Sequence, residues 1–232
     1  MRPLISAVAL TGAAVAGMAW AVRGRSSTAF GPSVWRGTQG RKAIALTFDD
    51  GPSDGTAGLL EILHRHHAKA TFFQCGKNVQ RAPALSRVVS EAGHEIGNHS
   101  HTHPNCALRS AAFIADEFTR AQHAIADATG TVPVLLRAPF GVRWFGFREM
   151  QDSLRLQGVM WTVIASDWRL PAHEIARRVL QQATDGAIIC LHDGRGIQPA
   201  ANIAETTAAL REIVPELIDR GYHFETVSQI LL

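Results

Sequence analysis

The sequence predicts an α/β fold on a parallel sheet, closed as a barrel or left open, and three observations carry that reading. Beyond residue 41, short apolar runs alternate with amphipathic stretches along the whole chain. Gly93, Gly130, Gly158, Gly186 and Gly221 fall between a helical stretch and the next apolar run, where a helix-terminating residue takes a left-handed backbone. No fixed-period repeat is present, which excludes solenoids and propellers. In chain order, the apolar runs predict strands near residues 44–48, 70–74, 95–98, 134–137, 158–164, 187–191 and 222–227. Between them, apolar spacings of three and four, such as Leu59, Leu60 and Leu63, predict helices near 56–67, 82–92, 110–129, 145–157, 172–184 and 203–220.

Ahead of this body stands a different kind of sequence. Pro3 to Val22 is uncharged, preceded by Arg2 and followed by Arg23 and Arg25, and its length suits a membrane or export segment. Its alanines make it only moderately apolar, and Ala19-Trp20-Ala21 offers a signal-peptidase pattern, so residues 1–25 are expected to be either an anchor or a cleaved signal peptide. Ser26 to Gly40 is rich in Ser, Gly and Thr and reads as a linker, leaving residues 41–232 as the folded domain.

Charge divides the same way. The 232 residues carry a formal net charge of +3, but residues 1–42 hold Arg2, Arg23, Arg25, Arg36, Arg41 and Lys42 with no acid, while the remainder holds 17 basic against 20 acidic residues. Basicity therefore belongs to the N-terminal arm and suggests membrane contact, and an acidic body argues against a nucleic-acid partner. By the positive-inside rule the cluster after the apolar segment would place the body in the cytoplasm, against any export. Cys75, Cys106 and Cys190 are odd in number and widely spaced, so no disulfide framework or thiolate zinc site is expected, and Cys75 and Cys190 read as core residues.

Polar groups fall at the carboxyl ends of five predicted strands: Asp49 and Asp50, His99 and His103, Arg137, Asp167 with Trp168, and His192 with Asp193. In parallel α/β folds that edge carries the active site. His99 and His103, four apart, can face one point if their segment forms a helical turn, and Asp50 can add a carboxylate, leaving coordination positions open on a divalent metal. Zinc is the expected ion by ligand type, with cobalt or nickel as alternatives. Asp49 beside Asp50 is then a candidate base, with Arg137 to hold it ionised. His192 is a candidate acid, with Asp167 to raise its pKa.

These segments resemble the NodB-homology polysaccharide deacetylases, carbohydrate esterase family 4. The motifs that carry the resemblance are Thr47-Phe-Asp-Asp-Gly-Pro52, His99-Ser-His-Thr-His103, Arg137-Ala-Pro-Phe-Gly141, Asp167-Trp168 and Leu191-His192-Asp193, over residues 43–228. The resemblance implies a distorted (β/α) barrel of about seven parallel strands and metal-dependent removal of N-acetyl groups from N-acetylglucosamine-type polysaccharide, either peptidoglycan or chitin-like oligomers. It makes Asp49 the base, Asp50, His99 and His103 the metal ligands and His192 the acid, with Arg137 and Asp167 orienting them. It also implies an oxyanion-binding backbone N–H near Phe140, and Trp168 and Leu191 lining an acetyl pocket. A membrane-anchored or exported monomer facing the cell envelope is the corresponding expectation.

There are departures from the family pattern. Ile164 stands where many members carry an Asp, and Phe140 replaces the usual Tyr. Tyr222 is the lone tyrosine, so sugar stacking would fall to Trp144, Trp168 and phenylalanines. Two alternatives remain at this stage: a hydrolase of small non-peptide amides on the same scaffold, and a catalytically silent, membrane-tethered glycan-binding module. A glycosidase would need paired carboxylates but no histidine metal set.

Overall fold

The computed structural model describes residues 2–232, with side chains described from residue 12 onward. After helix α1 (Arg2–Arg23) come β1 (Ser33–Val34), β2 (Ala43–Gly51), α2 (Thr56–Arg65), β3 (Ala70–Gln74), α3 (Gly76–Arg81), α4 (Pro83–Glu91) and β4 (Glu95–Asn98). Next are α5 (Ala111–Thr129), β5 (Leu135–Leu136), α6 (Phe147–Leu154), β6 (Gln157–Val159), β7 (Val163–Ile164), α7 (Ala172–Gln182) and β8 (Ala187–His192). The chain ends with α8 (Ala204–Asp219), β9 (His223–Phe224) and α9 (Val227–Ile230). The six predicted helices of the body are present. The order β1-β6-β5-β4-β3-β2-β8-β7, parallel throughout and with β9 on β2, forms a distorted, incompletely closed barrel.

Strand β2 is the axis of the architecture, bonded to β3, β8 and β9 and buried at all nine positions. Because strand side chains alternate, its two faces serve two cores. Ile44, Leu46 and Phe48 meet Leu59, Leu63, Leu210 and Ile213 of the outer helices. Ala43 and Ala45 turn inward to Phe73, Ile188, Val227 and Ile230, where α9 fills the barrel. Small alanines on the inner face leave room for those larger side chains.

Two expectations are corrected here. The strand predicted over residues 158–164 is split: β6 pairs with β5 and β1, whereas β7 pairs with β8 on the far side of the opening. The amides of Met160 and Thr162 donate in different directions, to Val34 O and Ile188 O, so one apolar run serves two edges.

The second correction concerns residues 26–40, which are not a free linker. Arg36 bridges to Ala187, Ser33 and Val34 pair with β6, and Thr162 Oγ1 donates to Trp35 O at 2.8 Å, so this segment lies across the seam. Its beginning is fastened by Arg143, which donates to the carbonyls of Gly24 and Ser27 at 2.6 Å each. Those carbonyls follow the C-terminus of α1, where a guanidinium is favourable.

Residues 12–20 of α1 are exposed, including Val15, Met18 and Trp20. Among the described residues no helix is long and apolar enough to cross a membrane. The side chains of the first part of the expected anchor or signal segment lie outside the described residues.

Candidate active site

The site begins with an irregularity at the end of β2. Asp49 is in register with Phe73 and Gly51 with Gln74, so Asp50 is the extra residue of a bulge, with φ of 75°. A bulge breaks strand alternation, and it sets two consecutive carboxylates on the same rim. Gly51 is required by crowding: a Cβ there would lie 2.0 Å from Asp193 Oδ2. Asn78 secures the bulge by donating to Asp50 O at 2.7 Å.

Asp49 and Asp50 have different environments. Asp49 Oδ1 accepts from Arg137 Nη1 at 2.7 Å, and the same nitrogen donates to Thr47 Oγ1 at 2.7 Å. Arg137 is fully buried and also donates to Val159 O and Met160 O, the carbonyls at the open seam. It therefore ties the β6 edge of the opening to β2 and orients Asp49 at once, leaving Oδ2 of Asp49 toward the cavity. Asp50 Oδ1 instead lies 3.0 Å from His103 Nε2 and 3.4 Å from His99 Nε2, buried but without an aligned hydrogen bond. Burial raises the Asp50 pKa, but the two imidazoles outweigh it and hold the carboxyl well below its ordinary range.

The histidines reach this point without the helical turn that their spacing suggested. Residues 99–104 form a loop in which Ser100 and His103 have positive φ. Glu117, buried on α5, holds the loop by accepting from the amides of His101 and Thr102 and from Thr102 Oγ1 at 2.7–3.1 Å. Asn98 Oδ1 accepts from Ser100 N, and Ser100 Oγ accepts from His103 N. His99 Nδ1 donates to Arg137 O at 2.7 Å, so its Nε2 carries the free lone pair. Three donor atoms, Asp50 Oδ1, His99 Nε2 and His103 Nε2, lie within 4.8 Å of one another and suit a divalent cation with open positions.

The opposite wall is a histidine–carboxylate pair. His192 Nδ1 donates to Asp167 Oδ1 at 2.8 Å, while Asp167 Oδ2 accepts from His192 N and from Thr206 Oγ1. Burial alone would lower the His192 pKa, but the Asp167 carboxylate overrides it and raises the pKa to about 9. His192 is thus cationic at neutral pH, with Nε2 free. Asp193, next in the chain, points the other way and accepts from Thr56 Oγ1; burial and the neighbouring carboxylates push its pKa up to about 7.

The walls enclose a cavity of about 280 Å³ lined by Asp49, Asp50, His99, His103, Phe140, Trp168 and His192, together with Arg23, Gly141, Trp161, Ile164, Cys190 and Arg195. Phe140 is in the left-handed region at φ of 57° and leaves its ring half exposed against His103, and Trp168 meets His192 edge-on at 5.2 Å. Trp144 stacks on Phe30 away from this cavity.

Leu191 is a correction. It is fully buried among the outer helices, because in β8 the residues facing inward are Ile188 and Cys190. Cys190, expected in the core, takes the place on the cavity wall. Arg23, expected to flank a membrane segment, also lines the cavity. Sequence reasoning missed Glu117, Asn78 and Asn98. A polar residue in an otherwise apolar helical stripe was the one available signal for Glu117.

A model of the polysaccharide deacetylase family matches residues 36–159, more than half of the chain. A peptidoglycan-N-acetylglucosamine deacetylase of Listeria monocytogenes is 37% identical over 192 residues, covering 82% of this chain and 39% of that protein. The chain therefore spans about two fifths of that relative's length. A chitooligosaccharide deacetylase of Azorhizobium caulinodans is 37% identical over 194 residues, 80% of this chain and 92% of the relative. Among solved structures, a peptidoglycan N-acetylglucosamine deacetylase superposes with a TM-score of 0.81 at 28% identity, covering 86% of this chain and 92% of that one. A Bacillus anthracis protein described as a family 4 pseudoenzyme superposes at 0.78 and 28% identity, covering 86% and 69%, so fold alone does not carry activity. Matched by the family model over more than half its length, and nearly spanning a relative of 37% identity, the chain belongs to the polysaccharide deacetylase family.

Proposed function

We propose that the chain is a metal-dependent hydrolase that removes N-acetyl groups from N-acetylglucosamine-type polysaccharide, peptidoglycan or chitin-like oligomers, releasing acetate. One observation carries this reading: an oriented carboxylate, a three-atom ligand set and a cationic histidine face one small cavity. The names of the relatives supply the substrate class.

Asp50, His99 and His103 would hold the cation, for which we propose zinc on ligand type. Such an ion supplies Lewis acidity toward the acetamide carbonyl and lowers the pKa of water. Asp49, its Oδ1 held by Arg137, takes the proton of the attacking water through Oδ2. The backbone N–H at Phe140 donates to the developing oxyanion, and His192 Nε2 protonates the departing amine. Trp168 and Phe140, both half exposed at the cavity, flank the acetyl group.

The silent-module reading requires loss of one of these groups, and all are present. A small-amide hydrolase remains distinguishable by substrate. For location we propose a membrane-anchored or exported chain working at the cell envelope; its support is the exposed apolar residues Val15, Met18 and Trp20 of α1 beside Arg23 and Arg25. Cell fractionation with the chain wholly in the cytosol would refute it.

The test is mass spectrometry of chitin oligomers and peptidoglycan fragments incubated with metal-loaded protein, watching for loss of acetyl groups. Asp49→Asn is expected to abolish that loss while retaining metal by elemental analysis. Undiminished acetate release by this variant would overturn the assignment of the base, and inertness of the parent on every N-acetylated glycan would overturn the activity.

A further inference from the structure

A second cluster of ligand atoms lies on the same cavity, and one member, Cys190, has no part in the deacetylation chemistry. Asp49, Cys190 and His192 each bring one atom within 4.8 Å of the others. Cys190 Sγ is 3.5 Å from Asp49 Oδ2. Each of the other two has its remaining polar atom fixed: Arg137 holds Asp49 Oδ1, and Asp167 holds His192 Nδ1. Oδ2, Sγ and Nε2 are therefore presented together, already oriented by neighbours in the way that outer groups orient metal ligands.

We propose that Asp49 Oδ2, Cys190 Sγ and His192 Nε2 form a second, inhibitory metal site that takes a thiophilic divalent cation such as Zn2+ or Cd2+. Carboxylate, thiolate and imidazole are a donor set for such ions, and bonds of about 2.0–2.3 Å to a tetrahedral ion put ligand atoms roughly 3.3–3.7 Å apart. The Cys190–Asp49 pair already has that separation, and the His192 donor lies within 4.8 Å of both. On binding, the cation forms bonds to sulfur and to His192 Nε2; the S–H bond and the Nε2–H bond of the cationic imidazole both break, and the two protons pass to water. The two ligand sets adjoin, since Asp49 Oδ2 is 3.9 Å from His99 Nε2.

Occupancy would engage the atom that accepts a proton from water and the atom that delivers one to the amine. The sulfur makes this site selective, because the Asp50, His99 and His103 set contains none. Excess zinc or cadmium would thus inhibit, and magnesium or calcium, which prefer oxygen donors, would not. The metal site stands on geometry alone; its inhibitory effect rests on the deacetylase reading.

The experiment loads the full chain with one equivalent of Zn2+, checked by elemental analysis, and titrates it with Cd2+ while recording the ultraviolet sulfur-to-cadmium charge-transfer band and acetate release from chitin oligomers. The expected result is a band that saturates with one bound Cd2+, loss of acetate release in step with it, and absence of both effects in Cys190→Ser, each protein being compared with its own value before cadmium. A bound second equivalent without the band in the parent overturns the site, as does a band of unchanged size in Cys190→Ser or Cys190→Ala. If neither variant folds, a parent that binds the second equivalent without the band still overturns the site. A band with undiminished acetate release overturns the inhibition alone. A band from a protein that releases no acetate at any metal load supports the site and refutes the deacetylase reading.

Discussion

The two walls of the cavity differ in what completes them. On the Asp50 side, Oδ1 is buried between two imidazoles without an aligned hydrogen bond, a cluster of donor lone pairs that a cation would satisfy. On the His192 side, Asp167 accepts from His192 Nδ1, His192 N and Thr206 Oγ1, so the carboxylate is fully partnered. The first wall presents donor atoms without hydrogen-bond partners, and the second is paired internally except at His192 Nε2, which is left to the cavity. The difference teaches that substitutions on the first wall should change metal content, whereas those on the second should change proton delivery at constant metal content.

The largest break of that comparison is His99→Ala or His103→Ala, each removing a ligand; both are expected to lose the metal by elemental analysis and acetate release with it. Full metal occupancy in either would refute the ligand set. Next, Asp167→Asn removes the charge that keeps His192 cationic. Because the His192 pKa is raised to about 9, activity that depends on its proton should persist up to that pH and fall as pH rises through it. In Asp167→Asn the alkaline limb should move to lower pH and kcat should fall, by roughly 10²–10⁴-fold where general acid catalysis is lost, with metal content unchanged. An unmoved limb would mean that His192 is not the titrating group.

A smaller effect is expected of Glu117→Gln, which weakens the anchor of the histidine loop without touching the metal. By analogy with residues that orient ligands, the metal affinity should drop about 10–100-fold in a chelator competition while the fold remains. The smallest effect on turnover is that of Leu191→Ala. Deleting a fully buried side chain from the outer core should cost about 2–5 kcal/mol of stability, measured by denaturant unfolding, with KM unchanged. A raised KM at intact stability would return Leu191 to the pocket.

The comparison also separates what was legible early from what was not. The motif residues Asp49, Asp50, His99, His103, Arg137, Asp167 and His192 could be placed on one rim from strand ends alone, since parallel strands share a polarity. The face each side chain takes was less accessible. Leu191 and Cys190 are adjacent and both apolar enough for a core, and only the pairing of β8 with β2 decides which of them turns inward. Residues 33–36 look like a linker because their contacts are with β6 and β8, more than 100 residues away in sequence.

Local order in the sequence, by alternation of apolar runs, helix-ending glycines other than Gly158, which lies inside β6, and motif spacing, determined the parallel α/β class, six of the eight body helices and the residues of the rim. Tertiary structure alone decided that the strand predicted over 158–164 divides across an open seam, that Arg137 ties one edge of that opening to Asp49, that a bulge aims Asp50 beside Asp49, and that Cys190 joins Asp49 and His192. Periodicity follows from the geometry of one element and is written in neighbouring residues. Register, seam and facing depend on which distant strand lies alongside, and that is settled only when the whole barrel packs.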